Sequence, residues 1–93
     1  MLFFVKVRLD LTKFAEMGRK LQSGELDRTA IKSVHCPQAD PTVGLAIWEA
    51  TDRADFDQKF APHRPYYAEV AEITPVVTSP EAQQLIIQQL AAE

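Results

Sequence analysis

The segment Ala61–Tyr67, with the sequence Ala-Pro-His-Arg-Pro-Tyr-Tyr, decides how the second half of this 93-residue chain folds. Pro62 ends any helix before it, because its ring disfavours the αR conformation of the preceding residue and removes a backbone donor. After the segment, apolar and polar residues alternate as they do in a strand. We therefore predict a corner at which the chain turns from helix back to sheet.

Four strands are predicted from runs of apolar residues. In chain order they are Leu2–Leu9, Ala30–Cys36, Val43–Ala50 and Ala68–Val77. The second run is the shortest and weakest, and a turn at residues 37–42 separates it from the third. The fourth contains Pro75, which only an edge strand tolerates well, because proline cannot donate to a neighbouring strand.

Three helices are predicted between and after these strands. Asp10 or Thr12 can cap the first, which ends at Gly24, a residue suited to a left-handed terminal position. Asp52 caps the second, and the third runs from Ser79 and Pro80 to residue 92. Helical spacing predicts a core-facing stripe on the first helix, made of Leu11, Phe14, Ala15, Gly18 and Leu21. On the second helix Phe56 and Phe60 are predicted to face the core.

The order of these elements is βαββαβ followed by a C-terminal helix. Right-handed crossovers around a central hairpin give an α+β, ferredoxin-like antiparallel sheet with strand order 4-1-3-2. A chain of 93 residues forms a single domain, so residues 1–93 are assigned to one unit.

Two helices cover one face of such a sheet, and the opposite face is predicted to be partly apolar. To the helix side we assign Phe3, Val5, Val7, Val34, Leu45, Ile47 and Ile73. To the opposite side we assign Phe4, Lys6, Ile31, Ser33, His35, Ala46, Trp48, Val70 and Glu72. An apolar patch there favours a second copy packing sheet to sheet, as a homodimer or higher homo-oligomer. The C-terminal helix, residues 80–92, then either packs on the partner or folds back over its own sheet.

Composition and charge restrict the possible partners. The net charge of −3 and the pI near 5.3 argue against nucleic-acid binding, because no basic stripe is present to neutralise phosphates. The longest apolar run is far too short to span a bilayer, so no membrane partner is expected. The single cysteine, Cys36, excludes an internal disulfide and fits a reducing compartment. A cytoplasmic location is expected.

Three short motifs carry a resemblance to a known family. They are the opening residues 1–3 with Val5 and Val7, the small-residue third strand, and the proline–aromatic corner. Over about residues 1–77 the chain resembles the muconolactone-isomerase-like proteins of the dimeric α+β barrel superfamily. The resemblance implies small homo-oligomers that enclose a pocket. Such proteins are often cofactor-free and isomerise or oxidise small organic acids and aromatic molecules. No catalytic residue is carried over from the family.

The candidate catalytic residues are His35, Lys6 and Glu72, all assigned to the face opposite the helices. A histidine with a pKa near 6.5 can act as general acid or base, and a lysine beside a carboxylate can bind an acid and move a proton. The plainer interpretations are a solvent-exposed hairpin histidine and a weak cross-strand ion pair.

The candidate substrate-binding residues are Trp48, Phe4, Arg64, His63 and Tyr66. Trp48 can stack on a planar ligand or simply fill an interface. Arg64 can clamp a carboxylate with the help of a tyrosine hydroxyl. Alternatively, Arg64 and one of the two tyrosines brace the corner, while the other tyrosine packs under the second helix.

Two functions remain open from the sequence. The first is a small cofactor-independent enzyme of isomerase or monooxygenase type that acts on a small organic acid or an aromatic-derived molecule. The second is a non-catalytic ligand-binding or assembly module. Two histidines on different elements do not predict a metal site, and no phosphate loop or dinucleotide fingerprint is present, so no cofactor is expected.

Overall fold

The structure is a computed structural model that describes residues 1–92. The strands are β1 (Leu2–Leu9), β2 (Ile31–His35), β3 (Val43–Glu49) and β4 (Tyr67–Val76), and the helices are α1 (Phe14–Ser23), α2 (Arg53–Phe60) and α3 (Ser79–Ala92). Short 3-10 turns at Leu11–Lys13 and Arg64–Tyr66 precede α1 and β4. Among these residues, no helix combines the length and the apolar character needed to cross a membrane.

The four strands form one antiparallel sheet in the order β2-β3-β1-β4. This confirms the predicted α+β, ferredoxin-like fold with strand order 4-1-3-2. Pro75 lies in edge strand β4, opposite Phe3 of β1. The edge position explains why proline is tolerated, since an edge strand has a neighbour on one side only.

Capping residues fix where the helices begin and end. Asp10 accepts a hydrogen bond from the Thr12 amide at 3.0 Å, and Asp52 accepts one from the Asp55 amide at 2.8 Å. Gly24 follows α1 with a φ of 83°, the left-handed conformation predicted for it. The cap of α3 differs from the expectation, because the Glu81 amide donates to the Thr78 hydroxyl at 3.4 Å, one residue before Ser79.

The core lies between α2 and the sheet. Phe56 is fully buried and stacks on Phe3 with ring centroids 4.6 Å apart. Trp48 meets Phe56 and Phe60 edge to face, at 5.7 and 5.5 Å. The prediction that both phenylalanines of α2 face the core is therefore confirmed.

The prediction of which β3 residues lie on the helix side of the sheet was wrong. Trp48 pairs with Phe3 and Ala46 with Val5, so both lie on the helix side. Leu45 and Ile47 lie on the opposite side. The sequence of β3 is apolar on both faces, so no alternation of apolar and polar residues indicates which face lies toward the helices. The large Trp48 ring is 2% exposed and packs in the core against both phenylalanines of α2.

The same correction applies to the edge strands. Ile31 pairs with Trp48, and Val70 pairs with Val7, so both belong to the helix side. The face away from α1 and α2 is called the open face here. Its residues include Leu2, Phe4, Lys6, His35, Leu45, Ile47, Glu72, Thr74 and Val76.

Helix α1 also differs from its predicted stripe. Leu11 and Phe14 are 65% and 57% exposed, and α1 contains no buried residue. Leu11 belongs to the 3-10 turn, so its direction does not follow the α-helical spacing. Leu21 of the predicted stripe does face the sheet, and Met17, which the stripe did not include, lies beside it.

Replacing Phe56 with alanine should lower the free energy of unfolding by about 3–5 kcal/mol, because a fully buried ring is lost from the core. The matched control is Phe14→Ala, which removes an exposed ring and should change stability by no more than about 0.5 kcal/mol. Urea denaturation of both variants measures the difference. Equal losses would contradict the assignment of the core.

Candidate functional site

A cavity of about 420 Å³ lies between α1 and the helix side of the sheet. Val5, Val7 and Ala46 of the two central strands line its sheet side, and Met17 and Leu21 of α1 line the other. Its volume falls within the range of small-molecule sites, which are concave, mostly apolar and carry a few polar groups. The cavity under α1 is therefore the candidate site.

His63 is the polar group most deeply placed in this cavity, and it is only 2% exposed. The corner after α2 carries it, and its ring meets Trp48 edge to face at 5.0 Å. Its Nε2 atom lies 2.7 Å from the Asp27 carbonyl oxygen. A carbonyl oxygen only accepts, so Nε2 bears the proton, and in the neutral ring the lone pair lies on Nδ1.

The environment keeps His63 neutral. Burial lowers the pKa of the imidazole below its usual 6.5, although the Asp27 carbonyl and carboxylate partly oppose this shift. At neutral pH the ring is therefore an uncharged base with one nitrogen fixed as a donor.

Tyr67 and Trp48 add aromatic surface with polar tips. Tyr67 stacks on Phe60 with centroids 5.8 Å apart, and burial raises the pKa of its hydroxyl, which stays protonated at neutral pH. Trp48 is 2% exposed and lines the same cavity. Both side chains can donate a hydrogen bond to a ligand while packing against its apolar part.

The corner that carries His63 also holds α1 over the cavity. Lys13 Nζ donates to the Pro65 carbonyl at 2.9 Å, and the Asp10 amide donates to the Tyr66 carbonyl at 3.0 Å. The Lys20 ammonium lies 5.5 Å from the centre of the Tyr66 ring, and the Tyr66 hydroxyl raises the pKa of Lys20. Polar contacts from one corner thus secure a helix whose side chains are at most partly buried.

Cationic and small polar groups line the cavity near β2. Arg28, Lys32 and Cys36 contribute to the lining there, whereas Ser33 pairs with Ile47, so its hydroxyl belongs to the open face. Lys32 also faces Glu49 at 3.7 Å, a solvent-exposed pair of little energetic weight. The two cations make this end of the cavity suitable for a carboxylate.

Two of the predicted binding residues lie in the cavity, and two others, both in the corner, have different surroundings. Trp48 and His63 line it together. Arg64 is exposed and donates to the Tyr67 carbonyl at 3.0 Å, so it braces the corner. Tyr66 is buried beneath Lys20, outside the cavity lining.

The predicted catalytic residues lie on the open face, on the other side of the sheet. Lys6 pairs in register with Glu72, and His35 pairs with Leu45 on the same face, as does Phe4 with Ile47. The Glu72 carboxylate accepts a hydrogen bond from the Thr74 hydroxyl at 2.7 Å. All three predicted catalytic side chains are exposed, and their roles remain predictions.

Sequence reasoning did not single out Arg28 or Met17 as site residues. Arg28 stands in a connector with no motif, and Met17 lies outside the apolar stripe predicted for α1. Tyr67 belongs to the proline–aromatic corner that was singled out, although Tyr66 was chosen as the binding residue there. Within residues 1–92, the structure brings together no group of three or more metal-binding side chains.

Comparisons with known proteins give a family and a structural neighbour. The family model described as a domain of unknown function, DUF3303, matches residues 1–90. A crystal structure from Chloroflexus aurantiacus J-10-fl, a candidate antibiotic biosynthesis monooxygenase, is 19% identical with a TM-score of 0.45. The match covers 83% of this chain and 93% of that one. No curated protein matches the sequence.

The stability of the fold should depend on pH through His63. Because burial lowers its pKa in the folded state, the unfolded chain binds the proton more tightly between about pH 6.5 and that lowered value. The free energy of unfolding should therefore fall as the pH drops through this window. Above the window, where both states are neutral, His63 should have no effect.

Thermal unfolding between about pH 7.5 and 5.5 measures this dependence. The His63→Gln variant should show a smaller loss of Tm with falling pH, because it lacks the titrating ring but keeps an N–H donor. The control is His35→Gln, which replaces an exposed histidine and should behave as wild type. An unchanged pH dependence in His63→Gln would contradict the buried neutral imidazole.

Proposed function

The chain belongs to the DUF3303 family, and we propose that it is a small cofactor-independent enzyme of isomerase or monooxygenase type. Its site is the cavity under α1, and its substrate is a small organic acid or an aromatic-derived molecule. The observation that carries the proposal is the buried His63, whose Nε2 donates to the Asp27 carbonyl at 2.7 Å while the ring lines an otherwise apolar cavity.

The chemistry follows from that tautomer. His63 Nδ1 removes a proton from a carbon next to a substrate carbonyl, and the Asp27 carbonyl stabilises the imidazolium that forms. The Tyr67 hydroxyl or the Trp48 indole N–H is suited to donate to the developing oxyanion. An isomerase returns the proton to another atom of the same molecule. In a monooxygenase the carbanion instead reduces dioxygen and forms a carbon–oxygen bond, and the resulting hydroperoxide loses water to leave a new carbonyl on that carbon.

Charge and volume define the substrate class. The cavity walls are mainly apolar, so a flat hydrocarbon or aromatic body is favoured. Arg28 and Lys32 suit a carboxylate at one end. This site replaces the open-face trio of Lys6, His35 and Glu72 as the leading assignment, because that trio is exposed in the single chain.

A second function, a non-catalytic ligand-binding or assembly module, is favoured by the unburied helix α3. In this version the chain works as a homodimer or higher homo-oligomer. The likeness to muconolactone isomerases, a cytoplasmic location, and the lack of nucleic-acid and membrane partners are part of the proposal in either version.

A probe ketone tests the enzyme proposal without knowledge of the natural substrate. The protein should accelerate exchange of the C1 protons of 2-tetralone for deuterium in D2O, because Nδ1 of His63 removes one and solvent deuterium replaces it. His63→Gln should lose at least about tenfold of this rate, within the usual contribution of a general base. Proton NMR follows the exchange.

Binding is measured separately through Trp48, the single tryptophan of the chain. Ala46→Phe places a ring in the cavity and should abolish both the fluorescence response to 2-tetralone and the exchange. Ala68→Phe, at an exposed position of β4, is the matched control and should keep both. Wild-type exchange in His63→Gln would overturn the proposed base. Binding without any exchange in the wild-type protein would favour the ligand-binding module.

A further inference from the structure

Helix α3 is an apolar helix with nothing to pack against in the single chain. It has 14 residues and no buried side chain. Leu85, Ile86, Ile87 and Leu90 are between 49% and 66% exposed. Glu81 is the one charged residue between positions 79 and 92. An isolated helix of this length is only marginally stable in water, so α3 needs a surface to cover its apolar residues.

The molecule also exposes more solvent-accessible surface than a compact monomer of its size. Its solvent-accessible area is 6439 Å², whereas a compact monomer of 10.5 kDa exposes about 5,400 Å². Its radius of gyration is 15.7 Å, against about 12 Å for a compact domain of this length. The excess, about 1,000 Å², matches the area of about 800 Å² that each partner buries in a standard protein interface.

The open face offers the matching surface. Its centre is apolar, with Leu2, Phe4, Leu45, Ile47 and Val76 half-buried and uncovered by α1 or α2. A helix of 14 residues is about 21 Å long, close to the length of the seven- and eight-residue central strands. A sheet with an apolar second face is normally covered by another layer.

Helix α3 starts beside this face but extends away from it. A shallow groove lined by Leu2, Val76, Val77 and Glu81 marks the junction between the open face and the first turn of α3. The longest dimension of the molecule is 53 Å, against 30 and 18 Å for the others. Because α3 begins at the edge of its own open face and extends away from it, α3 can reach the open face of a second copy.

We propose that α3 of each copy packs on the open face of a second copy in a two-fold, reciprocal exchange. Both unpartnered apolar surfaces are then buried at once, and the symmetry closes the assembly at two copies. Each sheet gains a helical layer on its second face. The exchange concerns assembly alone and does not depend on the activity proposed for the cavity under α1.

Cysteine cross-linking tests the exchange in the full-length chain, with Cys36→Ser as background. The Ile47→Cys/Ile86→Cys variant joins the centre of the open face to the middle of α3. At micromolar concentration under mild oxidation it should form a disulfide-linked dimer, in which mass spectrometry finds the linkage between positions 47 and 86. The matched control, Gln58→Cys/Ile86→Cys, places one thiol on the exposed side of α2 and should stay monomeric on a non-reducing gel.

Three other outcomes would overturn the exchange. A 47–86 disulfide within one chain would show that α3 folds back on its own sheet. Rapid dimerisation of the single variant Ile47→Cys would show two sheets packed face to face. The natural sequence must also be a dimer by light scattering, and a monomer would overturn the proposal as well.

A second variant separates assembly from folding and from the cavity. Ile86→Gln/Leu90→Gln changes residues that are exposed in the single chain, so the domain should still fold. It should dissociate to monomers and keep the wild-type rate of 2-tetralone exchange. A variant that remains a dimer would show that α3 is not the contact.

Discussion

The hydrogen bond from His63 Nε2 to the Asp27 carbonyl, at 2.7 Å, is the contact on which the site depends. It joins the corner after α2 to the connector that follows α1, across 36 residues of chain. Without that acceptor, a histidine that is 2% exposed would bury an unpaired donor, which costs about 1–3 kcal/mol. The bond also selects the tautomer, so one interaction fixes both the position and the chemistry of the ring.

The same corner explains why a cavity persists beneath α1. No side chain of that helix is fully buried, and the helix is held by Lys13 on the Pro65 carbonyl and by Lys20 over the Tyr66 ring. Packing holds α2 on the sheet through Phe56, which is fully buried and stacks on Phe3. Helix α2 therefore stabilises the fold, while α1 covers a cavity large enough for a small molecule.

Much of the architecture could be predicted, since its signals are local. Pro75 marks the edge strand, Asp52 caps α2, and Gly24 ends α1. The face of Trp48 could not be predicted, because β3 is apolar on both sides and only tertiary packing sets its orientation. Two site residues that were not predicted, Arg28 and Met17, come from a connector and from α1, whose apolar residues only partly follow the predicted stripe. His63 was recognisable by type, but its acceptor is a backbone atom, which no sequence motif records.

The most direct test of this account is the protonation of His63, observed by ¹⁵N NMR in the protein at neutral pH, with His35→Gln used to assign the two histidines. The account predicts a neutral ring with the proton on Nε2 and an unprotonated Nδ1, and this state should persist below the pH at which a free imidazole becomes charged. A proton on Nδ1, or an imidazolium at neutral pH, would contradict both the hydrogen bond to Asp27 and the base assigned to the cavity.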